Sequence, residues 1–143
     1  AHPEARLRIL GRKAPPVLLA RQGPGVEVAG FVEDLRPSLA EAAAVIVPLR
    51  LGGGTSPKIL GAMAMGKAVV ATRRSVEGYP FVHGQELMVA GTAQEFSQYV
   101  IDLLHDPVRR AALGRMGRAR VEAEFNCGGF TETYELLHAE LFQ

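Results

Sequence analysis

The stretch that decides the fold is residues 48–71, PLRLGGGTSPKILGAMAMGKAVVA. It follows the short run VIV at residues 45–47, whose β-branched side chains suit a strand buried on both faces. After three glycines, Ser56 and Pro57 are favourable residues for the N-cap and the first position of a helix. Gly66 is placed to end that helix, and residues 68–72, AVVAT, form a second strand. The stretch therefore predicts a strand, a glycine-rich loop, a helix and another strand.

The glycine-rich loop has the features of an anion site. Its glycines carry no side chains that would keep a ligand away from the backbone, and Lys58 falls in the first turn of the predicted helix. Free N–H groups and the positive end of the helix dipole attract anions at such a position. The local pattern predicts a phosphate or diphosphate at the mouth of the loop. A tight turn without any ligand explains the glycines equally well.

Length and composition indicate one soluble globular domain. The chain has 143 residues, of which 48% are hydrophobic and 22% charged. A net charge of +1 gives no reason to expect nucleic acid as a partner. No apolar run reaches the length of a bilayer span, and the first ten residues lack the apolar core of a signal peptide. Because Cys127 is the only cysteine, a disulfide within the chain is excluded, and a cytoplasmic setting is expected.

Short apolar strands alternate with helices along the chain. This alternation predicts an α/β fold with a doubly wound parallel sheet, in which ligands bind outside the carboxyl ends of the strands. We expect the loops after three of the strands, at residues 30–32, 52–58 and 73–78, to meet at that edge. The strands are predicted at residues 7–10, 26–29, 45–48, 68–72 and 87–89. The helices are predicted at residues 15–21, 34–43, 56–65, 92–104, 106–121 and 131–142.

Four segments of the chain resemble a known enzyme family. They are HPEARLRILGR, VEVAGFVEDLRPSLAEAAAVIVPLR, GGGTSPKILGAMAMGKAVVAT and LLHDPVRRAALGRMGRARVEAEF. In this order they resemble the C-terminal half of a retaining glycosyltransferase of family four, with the GT-B architecture of two Rossmann-like domains. The resemblance implies transfer of a sugar from a nucleotide-sugar donor to an acceptor with retention, and it implies no metal and no other cofactor.

The resemblance also implies a domain organisation. Residues 1–143 are expected to be a partial C-terminal, nucleotide-sugar-binding domain, with C-terminal helices at about residues 92–142. The N-terminal acceptor domain and the opening strand and helix of the C-terminal domain are expected to lie outside this chain. The acceptor would then bind through that missing domain. Peripheral contact of the whole protein with the inner face of a membrane is a further expectation.

Site residues follow from the resemblance position by position. The G-F-V segment implies a contact with the nucleotide base, the glycine-rich loop implies contacts with the sugar and diphosphate, and a later loop lies near the donor. Three alternatives stay open: Phe31 in the core, Lys58 as a solvated lysine, and Glu77 as an exposed loop residue. The implied substrate-binding residues are Gly30, Phe31, Val32, Gly52, Gly53, Gly54, Thr55, Ser56, Lys58, Gly61 and Glu77.

The two hallmark carboxylates of the family are absent. The family has two glutamates eight positions apart, and this chain has Gly53 and Gly61 there, so no catalytic residue can be named. A bound ribose would lose a charge-assisted hydrogen bond of about 1.5–3 kcal/mol. Three hypotheses follow: the donor-binding half of a glycosyltransferase, a degenerate GT-B module that binds or scaffolds without catalysis, and a nucleotide-sugar epimerase.

Other patterns are weaker. Residues 61–67, GAMAMGK, resemble a P-loop, but Ala68 stands where a Mg²⁺-binding Ser or Thr is needed and a strand follows instead of a helix. The four histidines have no metal-ligand spacing, so no metal site is expected. Arginines at positions 109, 110, 115, 118 and 120 make a basic helix face. The first interpretation of this face is that its arginines are simply exposed to solvent. The second is contact with an acidic partner or lipid headgroups.

Overall fold

The computed structural model describes residues 4–51 and 56–125 of the chain. Within them, five strands and five helices occur in the predicted order. The strands are Leu7–Leu10 (β1), Val26–Gly30 (β2), Ala44–Val47 (β3), Ala68–Thr72 (β4) and Met88–Ala90 (β5). The helices are Pro16–Leu19 (α1), Arg36–Glu41 (α2), Pro57–Ala64 (α3), Ala93–His105 (α4) and Pro107–Glu124 (α5). The chain divides into two compact units, Ala1–Ser38 and Leu39–Gln143.

The larger unit is built around a three-stranded parallel sheet with β4 in the middle. Every residue of β4 except the last is buried, and its side chains alternate between two cores on opposite faces of the sheet. α3 covers one face and α4 the other, while α5 reaches both cores through Val121 and Leu113. Helices on both faces of a parallel sheet are the doubly wound arrangement, so the predicted fold class is confirmed.

The smaller unit contains the parallel pair β1 and β2, with Leu7 opposite Val26. None of its described residues, 4–38, is buried, and the side chains of Val26 and Val28 are half-buried. The ladders of the described strands thus form two parallel sheets, whereas the sequence predicted one.

α5 approaches the sheet closely at two glycines. A Cβ atom at Gly114 would overlap the carbonyl oxygen of Gly66, the residue that ends α3 with a positive φ of 67°. A Cβ atom at Gly117 would lie 2.9 Å from the carbonyl oxygen of Glu86. Both glycines are therefore required by packing rather than by backbone conformation.

Several local predictions need correction. The loop predicted after β4 begins with a 3₁₀ turn, Arg73–Val76. α2 begins at Arg36 because Asp34 accepts a hydrogen bond from the Arg36 amide at 2.9 Å. The Arg36 side chain also donates to Asp34, and this bond lowers the pKa of that carboxyl. The capping box of Thr92 and Glu95 is confirmed. The predicted last helix and Cys127 lie outside the described residues.

Candidate functional site

An open cleft of about 500 Å³ lies where the parallel strands of the larger unit end. β3 leads into residues 48–50 of its lining, β4 into residues 72–74, and β5 into residues 91–93. Phe96 and Ser97 of α4 complete the lining. The carboxyl edge of a parallel sheet is the place where open α/β folds bind ligands, so the cleft is a candidate site.

Two hydroxyl groups fasten the loops of this cleft to each other. The buried Ser75 Oγ donates to the Val47 carbonyl at 2.7 Å and accepts from the Leu49 amide at 3.3 Å. Thr72 Oγ1 donates to the Leu49 carbonyl at 2.6 Å and lies 2.8 Å from Ser75 Oγ. These bonds cross between the segment after β3 and the turn after β4, and they therefore fix the position of both.

Three arginines line the cleft, and two of them have no partner among the described residues. Arg74 forms an ion pair with Glu77 at 2.6 Å. Arg50 and Arg73 are exposed, and neither makes a hydrogen bond or ion pair within the described parts of the chain. Arg73 packs over Gly91, where an added Cβ atom would lie 3.1 Å from the arginine Nε. The cleft thus presents unpaired positive charge.

We did not select Arg50 or Arg73 from the sequence as site residues. The signal that could have found them is their position, because Arg73 directly follows a predicted strand and Arg50 comes two residues after another. Arginine is also the residue type that binds phosphate through paired N–H groups. The cleft itself was not predictable, since it depends on hydrogen bonds between residues 23 to 28 positions apart.

The predicted site residues of the larger unit that the structure describes lie outside the cleft lining. Ser56 occupies the predicted N-cap position of α3 and is buried, and its side chain makes no cap bond to the helix. Lys58 and Gly61 are exposed on α3, and a Cβ atom at Gly61 would meet nothing within 4 Å. Glu77 is exposed and paired with Arg74. Gly52, Gly53, Gly54 and Thr55 lie outside the described residues.

The predicted base-contact segment lies at the carboxyl end of β2 in the smaller unit. Gly30 has a positive φ of 73°, and its carbonyl accepts a hydrogen bond from the Gly11 amide at 2.8 Å. The Phe31 side chain is 61% exposed, so the alternative that placed it in the core is wrong. The Arg12 guanidinium lies 4.7 Å from the centroid of this ring. Val32 is half-buried. The Phe31 ring is therefore exposed, with a guanidinium group over it.

The basic face of α5 is largely occupied by contacts within the chain. Arg118 and Arg120 pair with glutamates four residues further on, at 2.7 and 2.9 Å. Arg110 is half-buried and donates to the Leu103 carbonyl at 2.7 Å, near the end of α4. Arg109, Arg115 and Arg118 are exposed, as the solvated interpretation predicts, whereas Arg110 and Arg120 are half-buried. Among the described residues, no helix is long and apolar enough to cross a membrane.

Comparisons with known proteins agree on one family. The family model for glycosyl transferases group 1 matches residues 1–106. A GDP-mannose-dependent monoacylated α-(1-6)-phosphatidylinositol monomannoside mannosyltransferase of Corynebacterium glutamicum is 34% identical, with 88% of this chain and 36% of the relative covered. The chain thus spans about a third of the length of this curated relative.

Solved structures resemble the chain in fold. Anabaena HepE in complex with UDP has a TM-score of 0.84 at 19% identity, with 96% of this chain and 42% of that one covered. Sucrose-phosphate synthase of Thermosynechococcus elongatus has a TM-score of 0.84 at 22% identity, with coverages of 99% and 39%. The C-terminal domain of LpcC, a group 1 glycosyltransferase family protein of Francisella tularensis, has a TM-score of 0.72 at 20% identity, with coverages of 88% and 72%.

Proposed function

The chain belongs to the group 1 glycosyltransferases, and we propose that it is the donor-binding part of an enzyme that transfers a sugar from a nucleotide-sugar with retention. The observation that carries the proposal is the family match over residues 1–106, because it includes residues 30–32, Lys58 and Glu77. In this proposal the chain is a partial C-terminal domain. The acceptor binds through a separate N-terminal domain of the whole protein.

The exposed Phe31 ring and the start of α3 have complementary roles in the proposed donor site. The ring at the end of β2 offers a flat apolar surface on which a nucleotide base can stack. Lys58 supplies an exposed positive charge in the first turn of α3, at the end where the helix dipole attracts a diphosphate. The Ser56 hydroxyl makes no cap bond to the helix, so it can donate to a ligand oxygen. Residues 52–55 connect to this point and are proposed to face the sugar.

We propose guanosine diphosphate mannose as the donor. The Corynebacterium relative at 34% identity is GDP-mannose-dependent by its name, and it supports a guanine nucleotide here. Uridine diphosphate sugars are the competing class, because HepE was solved with UDP. No metal or other cofactor is included in the proposal. A cytoplasmic location, at or near the inner membrane face, accompanies a lipid acceptor such as that relative's.

A second candidate function is a GT-B module that binds without catalysing transfer. The observation that favours it is the composition of α3, PKILGAMA, which contains no carboxylate. With Gly61 at the exposed position of the family glutamate, the ribose hydroxyls lack their usual acceptor from this helix. Binding of nucleotide without sugar transfer by the whole protein would distinguish this function from the first.

Thermal unfolding with nucleotides tests the proposal. A ligand at a hundred times its Kd stabilises the folded state by about 2.7 kcal/mol, so GDP should raise the Tm measurably. Guanosine is the matched control, since it keeps the base and ribose but lacks the diphosphate. We expect a smaller shift with guanosine, and a reduced GDP shift in Lys58→Ala. No shift with either GDP or UDP at millimolar concentration would reject donor binding by this chain.

A further inference from the structure

None of the described residues proposed to bind the donor lines the cleft at the carboxyl ends of β3, β4 and β5, although Glu77 pairs with Arg74 of its lining. We propose that the cleft binds the phosphate group of a phosphate ester through Arg50, Arg73 and Arg74. This inference does not depend on the proposed function, because neither residues 30–32 nor Ser56, Lys58 and Gly61 line the cleft. It assigns a ligand to a part of the fold that the donor site leaves unused.

The charge balance of the cleft favours an anion. Three guanidinium groups line it, and none of the described lining residues is acidic. Two carboxylates of the flanking segments have partners: Glu77 pairs with Arg74, and Glu95 accepts the amide hydrogens of Gly91 and Thr92 at 2.7 and 3.3 Å. Arg50 and Arg73 form no ion pair among the described residues, although Glu95 lies beside Arg73 at Gly91. Paired N–H groups on planar guanidinium ions match the oxygens of a phosphate.

The arginines are carried by a backbone that is already fixed. Arg73 and Arg74 lie between Thr72 and Ser75, whose hydroxyls bond to the backbone on both sides of Pro48. Arg50 directly follows that bonded segment. A ligand that bridges the two loops thus meets backbone segments that are already linked, and little backbone ordering opposes binding.

The size and lining of the cleft indicate what carries the phosphate. A volume of about 500 Å³ exceeds the size of a phosphate ion and falls among the roughly 300–1,000 Å³ pockets that hold small organic ligands. Beside the arginines, Leu49, Ala93 and Phe96 supply an apolar wall. An ester with a sugar or glycerol body satisfies both halves of this lining. The ester could be a soluble sugar phosphate or the headgroup of a phospholipid.

Amide NMR of the chain titrated with glucose 1-phosphate and with inorganic phosphate tests the site. We expect saturable shifts at residues 49–50, 73–74 and 91–93. Arg73→Ala and Arg50→Ala should each weaken glucose 1-phosphate binding about tenfold, because each removes a charge-assisted contact. Arg115→Ala is the matched control: this arginine is exposed on α5 and does not line the cleft, so its removal should change binding less than twofold.

The outcomes of these experiments test whether the site exists and distinguish a lipid headgroup from a soluble ester as the source of the phosphate. Chemical shifts that do not saturate would contradict the proposed site. Equal weakening of glucose 1-phosphate binding in Arg115→Ala would also contradict it, because binding would then depend only on non-specific charge. Loss of the GDP-induced rise in Tm in Arg73→Ala would overturn its separation from the donor site. Phosphatidylcholine vesicles containing phosphatidylglycerol then distinguish the sources. Displacement of glucose 1-phosphate by these vesicles, and not by pure phosphatidylcholine, supports a lipid headgroup, whereas no displacement supports a soluble ester.

Discussion

Ser75 is the residue on which the geometry of the cleft most depends. Its buried hydroxyl bonds to the Val47 carbonyl and to the Leu49 amide. Ser75→Ala would leave both backbone groups without that partner. We expect a loss of about 1–3 kcal/mol in the free energy of unfolding, measured by urea denaturation.

Ser97→Ala is the matched control for that substitution. Ser97 is exposed on α4, and its hydroxyl donates only to the Gln94 carbonyl of the same helix at 2.9 Å. Its removal should change the free energy of unfolding by less than about 0.5 kcal/mol. Equal effects of the two substitutions would mean that the Ser75 bonds add nothing to stability.

Gly61→Glu tests the position of the missing family carboxylate. The site is exposed on α3, and no atom within 4 Å obstructs a side chain there. A glutamate that accepts hydrogen bonds from the ribose should tighten GDP binding roughly ten- to a hundredfold, as expected for a bond to a charged group. Calorimetric titration of the wild type, Gly61→Glu and Gly61→Gln measures the effect. Unchanged affinity in Gly61→Glu would show that this position does not face the ribose.

Residue types alone predicted some positions and not others. Thr92 and Glu95 were predictable as a cap because their bonds are local, three residues apart. The exposure of Phe31 was not predictable from its residue type, because it depends on which segments cover the ring. The role of Ser75 depends on partners 26 and 28 residues away, which no local pattern contains.

The elements α3 and α5 contain glycines with opposite roles. Gly114→Ala should destabilise the fold, because the new Cβ atom would overlap the Gly66 carbonyl and push α5 from the sheet. Gly61→Ala should instead stabilise it by about 0.5–1 kcal/mol, the usual gain in an exposed helix position. Denaturant unfolding of the two variants measures both effects. A stabilising Gly114→Ala would contradict the close contact between α5 and the turn after α3.

Most elements were predictable from periodicity, with ends shifted by one to three residues. β1 and β4 match their predicted bounds, since apolar runs bounded by glycine or charge define short strands well. The 3₁₀ turn after β4 was missed because it is a single short turn without apolar periodicity, although Thr72 caps it by accepting the Ser75 amide hydrogen. Nothing in the sequence indicated that Gly114 and Gly117 of α5 pack closely against neighbouring backbone.

The two units of the molecule differ in how many of their residues are buried. None of residues 4–38 is buried, whereas four consecutive residues of β4 are. Local opening is cheapest where few apolar side chains are buried. We therefore expect the amide hydrogens of β1 and β2 to exchange with solvent much faster than those of β4, as measured by hydrogen exchange with NMR or mass spectrometry. Equal protection in the two sheets would contradict this difference.

The fold class of the whole molecule was predictable because strands and helices alternate along the chain. The run at residues 45–47 was predicted to be buried on both faces, but β4 is the strand that is buried, and only Val47 of β3 is. The grouping of strands into two sheets was not predictable, because pairing order depends on contacts that the alternation leaves undetermined. The donor-site residues remain predictions. They rest on the family match, and part of the glycine-rich loop lies outside the described residues.

Mapping of GDP binding by amide NMR is the measurement that tests donor binding most directly. Donor binding predicts saturable shifts at Gly30, Phe31 and Val32 and around Lys58, with no matching shifts at residues 73–74 and 91–93. The same titration with guanosine should give weaker binding, since the diphosphate is missing. Shifts confined to other parts of the chain, or no shifts at millimolar GDP or UDP, would contradict the assignment of this chain as a donor-binding domain.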